Sequence, residues 1–181
     1  MKKKFTLLVA IFALALLRVN ATTYTVTNVN NAGAGSLRQA IDNANNNAGA
    51  DVIDFSNTLA NQTITIISPF LVITSDLTIS GSGAPNLTIS GGNASRIFWI
   101  QNGTITIQNL TLADGYAKGG DGSGGGMGAG GAIFMHEGRQ DPGNNNNLMS
   151  GNIDLRLVNV ILKNNRAIGG SGGGTSLGGG G

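Results

Sequence analysis

One stretch of this 181-residue chain aligns without gaps on another, 50 positions further on. Residues 104–120 align on 154–170, so that Ile105 falls on Leu155, Ile107 on Leu157, Leu110 on Val160 and Leu112 on Leu162. Polar and turn residues match too: Asn109 with Asn159, Asp114 with Asn164, and Gly119-Gly120 with Gly169-Gly170. A self-match of this kind points to a stacked architecture, in which one unit cannot bury its own apolar face and a neighbour must cover it. It constrains the fold more tightly than the function.

The apolar pattern supplies the elements. Residues 24–29 alternate with period two and read as a strand. From residue 51 onward, short runs recur between turns, at 52–55, 63–67, 71–73, 77–79, 87–89, 97–100 and 104–107. Leu and Ile alternate in them with Thr and Ser, which suits sheets with one buried face. Strands so short and closely spaced fit a sandwich or a solenoid. The self-match and the scarcity of Asn-Gly or Asp-Gly hairpin pairs favour a parallel β-helix, in which Asn at recurring turns can stack into hydrogen-bonded ladders. A single helix is expected over 36–46. Ser36-Leu-Arg-Gln39 fits a capping box, with Ser36 serving the third amide and Gln39 reaching back. Leu37, Ala40, Ile41 and Ala44 then form an apolar stripe suited to covering the first coil.

Lys2, Lys3 and Lys4, an apolar run over 5–17, and Val19-Asn20-Ala21 read as a cleaved signal peptide over 1–21. The apolar run is shorter than the ~20 residues of a spanning helix. Cleavage leaves seven basic against nine acidic side chains, so the net +2 belongs to the precursor. No basic face remains to argue for nucleic acid or an anionic membrane. The absence of Cys excludes disulfides and thiolate metal sites. The chain therefore divides into a signal peptide (1–21), an N-terminal strand and capping helix (22–50) and β-helix coils (51–181).

Of the 30 glycines, 21 lie from Gly119 onward, 18 of them in blocks at 119–131 and 169–181. Both blocks follow the same strand of the repeat and read as equivalent loops. The first returns to a strand at Gly130-Gly-Ala-Ile-Phe134, whereas the second has no such return before Gly181. An uncapped end exposes strand edges. The expectation is a truncated chain whose continuation supplies a further Gly-Gly-Ala-Ile-like strand, more coils and a cap, sorting domain or membrane barrel.

Two motifs carry a resemblance. Thr25-Val-Thr-Asn, Gly35-Ser-Leu-Arg-Gln-Ala-Ile41 and Ala48-Gly-Ala-Asp-Val-Ile-Asp-Phe55 together resemble the domain named after a Cys-Ser-Leu-Arg-Glu-Ala signature, with Gly35 in place of the Cys and Gln39 in place of the Glu. That domain opens secreted or surface β-helix proteins of bacteria. Gly130-Gly-Ala-Ile-Phe134 resembles the Gly-Gly-Ala-Ile repeat of polymorphic outer-membrane proteins. Ile161-Leu-Lys-Asn164 stands where their Phe-x-x-Asn partner motif belongs, with Ile for Phe. The resemblance spans most of 23–170. It implies an all-β fold, a right-handed parallel β-helix (solenoid) with one N-terminal capping α-helix, secreted or displayed at the outer membrane and often adhesin-like.

Candidate chemistry is sparse. The sole histidine, His136, neighbours Glu137, Arg139 and Asp141, a polar loop cluster able to bind or hydrolyse a glycan. The adjoining Pro142-Gly-Asn-Asn-Asn-Asn147 favours a plain solvated loop. Asp114, Asp121 and Asp154 offer too few carboxylates for the 6–8 oxygens that calcium takes. The glycine run at 122–128 lacks the Lys-Ser/Thr ending and the helix of a phosphate loop. Trp99, with Phe98, could stack on a sugar, but one of the two must face the core. Asn61, Asn86, Asn93 and Asn109 stand in Asn-x-Ser/Thr sequons, read as accidents of a Thr-rich composition. Polysaccharide lyases and galacturonan hydrolases share the β-helix, yet no clustered Asp pair recurs on consecutive coils here, and a fold alone supplies no active site. The reading is an exported adhesin-like scaffold without catalysis or cofactor in this segment. Its partners are an extracellular glycan or a host or cell-surface protein, besides further coils of its own chain. The alternative is a carbohydrate-active β-helix enzyme of lyase or glycoside hydrolase type, with its site in loops or downstream coils.

Overall fold

The computed structural model describes residues 21–122, 125–136 and 153–172. Residues 1–20 of the expected signal segment, the loop residues Glu137, Arg139 and Asp141, and the glycines from 173 on lie outside the described residues. The first strand, β1 (Thr23–Val26), leads to a helix, α1 (Leu37–Asn45). Then come β2 (Asp51–Phe55), β3 (Thr63–Thr65), β4 (Leu71–Ile73), β5 (Leu77–Ser80), β6 (Thr88–Ser90) and β7 (Phe98–Ile100). The described chain closes with β8 (Gly103–Ala113), β9 (Tyr116–Lys118), β10 (Ile133–Met135), β11 (Ile153–Lys163) and β12 (Arg166–Ile168). Among the described residues every strand pairing is parallel.

The strands form three sheets. The largest runs β1-β2-β5-β8-β6-β3 with β11 also on β8, the second β10-β7-β4, and the third β12-β9. Successive partners repeat the same residue types. Ile53 pairs with Ile79, Ile79 with Ile107 and Ile107 with Leu157. Ile64 likewise pairs with Ile89, Ile89 with Leu112 and Leu112 with Leu162. These aliphatic columns make the core, in which Ile53, Ile64, Ile79, Ile89, Ile107 and Leu112 are fully buried. Alternate positions face outward, where Thr63, Thr88 and Thr111 stack on one another. Parallel strands lie about 4.8 Å apart, so each layer covers the apolar side of the one before. Among the described residues the result is a strand-rich arrangement of parallel sheets curling round one aliphatic core, with a single α-helix.

The 50-residue offset is the register itself. Thr104 pairs with Asp154, Ile105 with Leu155 and Leu112 with Leu162, and the offset continues through Tyr116 on Arg166 to a bridge between Gly122 and Gly172.

One expected strand is much longer than the pattern indicated. The run at 104–107 belongs to the 11-residue β8, whose first half pairs with β5 and whose second half pairs with β6. The bend between the halves falls at Asn109, in left-handed backbone with φ 57°, and Asn159 repeats it in β11 with φ 51°. Asn61 and Asn86, at the equivalent corner, have φ 61° and 59°. Asn86 Nδ2 donates to Asn61 Oδ1 at 2.9 Å, and Asn159 Nδ2 donates to Asn109 Oδ1 at 3.0 Å. The expected ladder is present as two separate pairs, since Asn109 Nδ2 donates to Ser82 Oγ at 2.8 Å and not to Asn86. Asn suits the position because its short polar side chain tolerates positive φ where most side chains do not. The sequons at Asn61, Asn86 and Asn109 are therefore not accidents of composition. Each pairs a left-handed corner Asn with the outward Thr two residues on.

Other ends moved for identifiable reasons. β1 stops at Val26 because the Thr27 and Asn28 amides both turn to the Gly35 carbonyl. β3 ends at Thr65, and the Ile67 amide is taken by Asn31 Oδ1 at 2.8 Å. The helix keeps half of its capping box: Ser36 Oγ accepts from the Gln39 amide at 3.2 Å. Gln39 does not reach back but donates to Asn43 Oδ1, while the Ser36 amide bonds the Gly33 carbonyl. The stripe of Leu37, Ala40, Ile41 and Ala44 is buried against β1, β2 and β4, as the spacing predicts.

Candidate binding face

The sheet β10-β7-β4 decides which way its aromatics point. Phe98 and Ile100 are buried, so Trp99 between them faces out. The register stacks Val72 on Trp99 and Trp99 on Phe134. Phe70, one residue before β4, sets its ring edge-on to Trp99 at 5.2 Å between centroids, with 67° between the planes. On the other side Phe134 lies 6.1 Å from Trp99, and His136 stacks on Phe134 at 5.9 Å with planes 23° apart. Four rings thus form one continuous row on the outside of the molecule.

Two arginines frame the row in different ways. The Arg38 guanidinium, reaching out from α1, donates to the carbonyls of Asn31, Ile67, Pro69 and Phe70 and to Asn31 Oδ1. It clamps the segment that presents Phe70. Arg96 instead places its guanidinium carbon 5.1 Å from the Phe134 ring centroid, a cation–π contact, and its Nε donates to the Ala129 carbonyl at 3.0 Å. Its terminal N–H groups meet no other hydrogen-bond acceptor and no carboxylate among the described residues. Trp99 Nε1 is buried without a partner, so packing of the ring and not its polar edge fixes the side chain.

Of the residues singled out in the sequence, His136 and Trp99 are brought into one row through Phe134, while Glu137, Arg139 and Asp141 lie outside the described residues. The three aspartates considered for calcium go separate ways. Asp114 Oδ1 accepts from Asn164 Nδ2 at 3.3 Å, Asp121 accepts from Lys118 Nζ at 2.6 Å and from the Ser171 amide at 2.7 Å, and Asp154 stands exposed beside Thr104. No group of three His, Asp or Glu residues comes together among the described residues. In the first glycine block residues 123 and 124 lie outside the described residues, and several of the described amides are already bonded within the fold. Gly126 donates to the Gly120 carbonyl, Gly119 to Ile168 and Gly122 to Ser171.

Phe70, Phe134, Arg38 and Arg96 were not singled out in the sequence. Phe70, Trp99 and Phe134 are separated by unequal stretches of chain, so no fixed period announced the row. The one available signal was Phe134 at the end of the Gly-Gly-Ala-Ile motif. No protein-family model matches the chain, and comparison with curated proteins and with solved structures likewise finds no match.

Proposed function

We propose that this chain is an exported right-handed parallel β-helix, secreted or held at the cell surface, that serves as an adhesin-like binding scaffold without catalysis in this segment. The observation that carries the reading is the outward row of Phe70, Trp99, Phe134 and His136, on and next to strands locked into a parallel ladder. Aromatic side chains facing solvent in a row present a large contact area with little rotamer freedom to lose, the property that enriches them at binding surfaces. Short parallel strands stacked in register, and the Asn corners between them, support the β-helix. The basic and apolar segment at 1–21 supports export.

Beads coated with the purified mature protein test this reading. They should retain extracellular polysaccharide or whole cells, and Trp99→Ala should weaken that retention about tenfold or more. Release of new reducing ends or unsaturated uronate from a polysaccharide panel would instead establish the carbohydrate-active enzyme. Retention indifferent to Trp99 would remove the aromatic row from the function.

A further inference from the structure

Resting on the scaffold reading above, we infer that the row Phe70–Trp99–Phe134–His136 binds a linear acidic polysaccharide, with a sugar ring lying on Trp99 and a carboxylate or sulfate meeting Arg96 where it sits on Phe134.

The row has the proportions of a sugar chain. Its ring centroids follow one another at 5.2, 6.1 and 5.9 Å, a spacing comparable to the repeat of one pyranose residue along a glycan chain. An aromatic face carries negative charge density and attracts the weakly positive C–H face of a sugar. The row is one ring wide, whereas a stable protein partner covers about 800 Å² per side. A peptide in strand conformation docks by adding to a free sheet edge, and a proline-rich peptide that docks on aromatic side chains brings no acidic group for Arg96 to meet. Here the row stands on the face of a sheet whose central strand, β7, is already paired on both sides. Stacking from above is the mode left open.

The acidic character comes from Arg96. Its guanidinium sits on the Phe134 ring with terminal N–H groups free of any acceptor or carboxylate among the described residues. Those groups form a planar fork suited to a carboxylate or sulfate. His136, stacked on the same ring, adds a second nitrogen donor at the end of the row. Arg38 is excluded from this role because its guanidinium donates to backbone carbonyls and to Asn31. It positions Phe70 instead.

Affinity electrophoresis of the full mature chain through gels containing polygalacturonate or chondroitin sulfate, against hydroxyethyl cellulose, tests the inference. Retardation is expected in the acidic gels alone. Trp99→Ala and Phe134→Ala should each weaken it about tenfold or more, and Arg96→Met should do so for the acidic polymers by a similar factor. Trp99→Phe keeps a ring and should recover most of the binding. Thermal melting accompanies each variant. If Trp99→Ala does not fold, Phe134→Ala and Arg96→Met decide, since Arg96 lies on the surface of the row. Equal retardation by the neutral polymer, or acidic binding unchanged in Arg96→Met, overturns the inference and leaves the scaffold reading standing. So does Trp99-dependent retention of cells with no polysaccharide bound, which would identify a protein partner. Loss of both cell retention and polysaccharide binding overturns the two together.

Discussion

Asp121 shows how one side chain can join layers 50 residues apart. Its carboxylate accepts from Lys118 Nζ in its own layer and from the Ser171 amide in the next. The Lys118 hydrogen bond, followed by the Ser171 amide, holds the Asp121 carboxyl below the usual carboxylate range, and the same hydrogen bond to Asp121 raises Lys118. A carboxyl lowered in the folded state contributes stability above its unfolded pKa and loses it as pH falls through the folded value. A raised ammonium contributes below its unfolded pKa and loses it as pH rises through the folded value. The latch therefore acts between the two ranges, and solvent exposure of both side chains keeps its effect small. Lys118→Met should move the Asp121 titration midpoint upward towards the ordinary aspartate value, measured by NMR of the carboxyl carbon. An unchanged midpoint would mean that the Ser171 amide alone sets it.

Among the elements, α1 joins the strongest local signal to the clearest tertiary role. Ser36 caps it and is itself buried, with Oγ accepting from the Gln39 amide and donating to the Gly33 carbonyl at 2.7 Å. Leu37 is fully buried beneath it. Ser36→Ala should cost about 1 kcal/mol, the usual effect of removing an N-cap. Leu37→Asp should cost on the order of 2–4 kcal/mol, because it places a charge among apolar side chains. Urea unfolding followed by circular dichroism measures both, and equal, small losses would show that the helix does not seal the core. The helix was legible because its start signal and its stripe are local. The length of β8 and β11 was not, because a corner Asn in left-handed backbone looks like a turn in sequence. Pairing to β5 and β6 on either side of Asn109 keeps the strand running.

For the molecule as a whole, burial depends on which layer covers which. Ile107 and Leu157 are equivalent in the repeat, yet Ile107 is fully buried and Leu157 is 40% exposed. Leu162 is 56% exposed where its partner Leu112 is fully buried. Among the described residues no strand pairs with the far edge of β11. An apolar hollow of about 560 Å³, lined by Ile133, Met135, Leu155, Leu157 and Leu162 among others, opens there. Ile107→Ala should cost about 2–5 kcal/mol, as for other buried aliphatics. Leu157→Ala should cost below about 1 kcal/mol in this chain. Comparable losses in denaturant unfolding would show that Leu157 is covered, by a second copy or by another part of the chain.

The sequence by itself determined the layering: a gapless self-match at 50 residues became the pairing of β8 with β11 and of β9 with β12, residue on residue. It could do so because parallel strands in register place like on like, which makes the repeat in the sequence a repeat in space. The helix and the inward aliphatics were readable for the same reason, since each obeys a local period. Only the tertiary structure decided that Trp99 faces out and Phe98 in, that Phe70 and Phe134 extend its row to His136, and that Arg96 joins the row while Arg38 clamps the backbone. Those choices depend on how far the loops between layers carry the chain before it returns to the sheet. No local pattern records that distance.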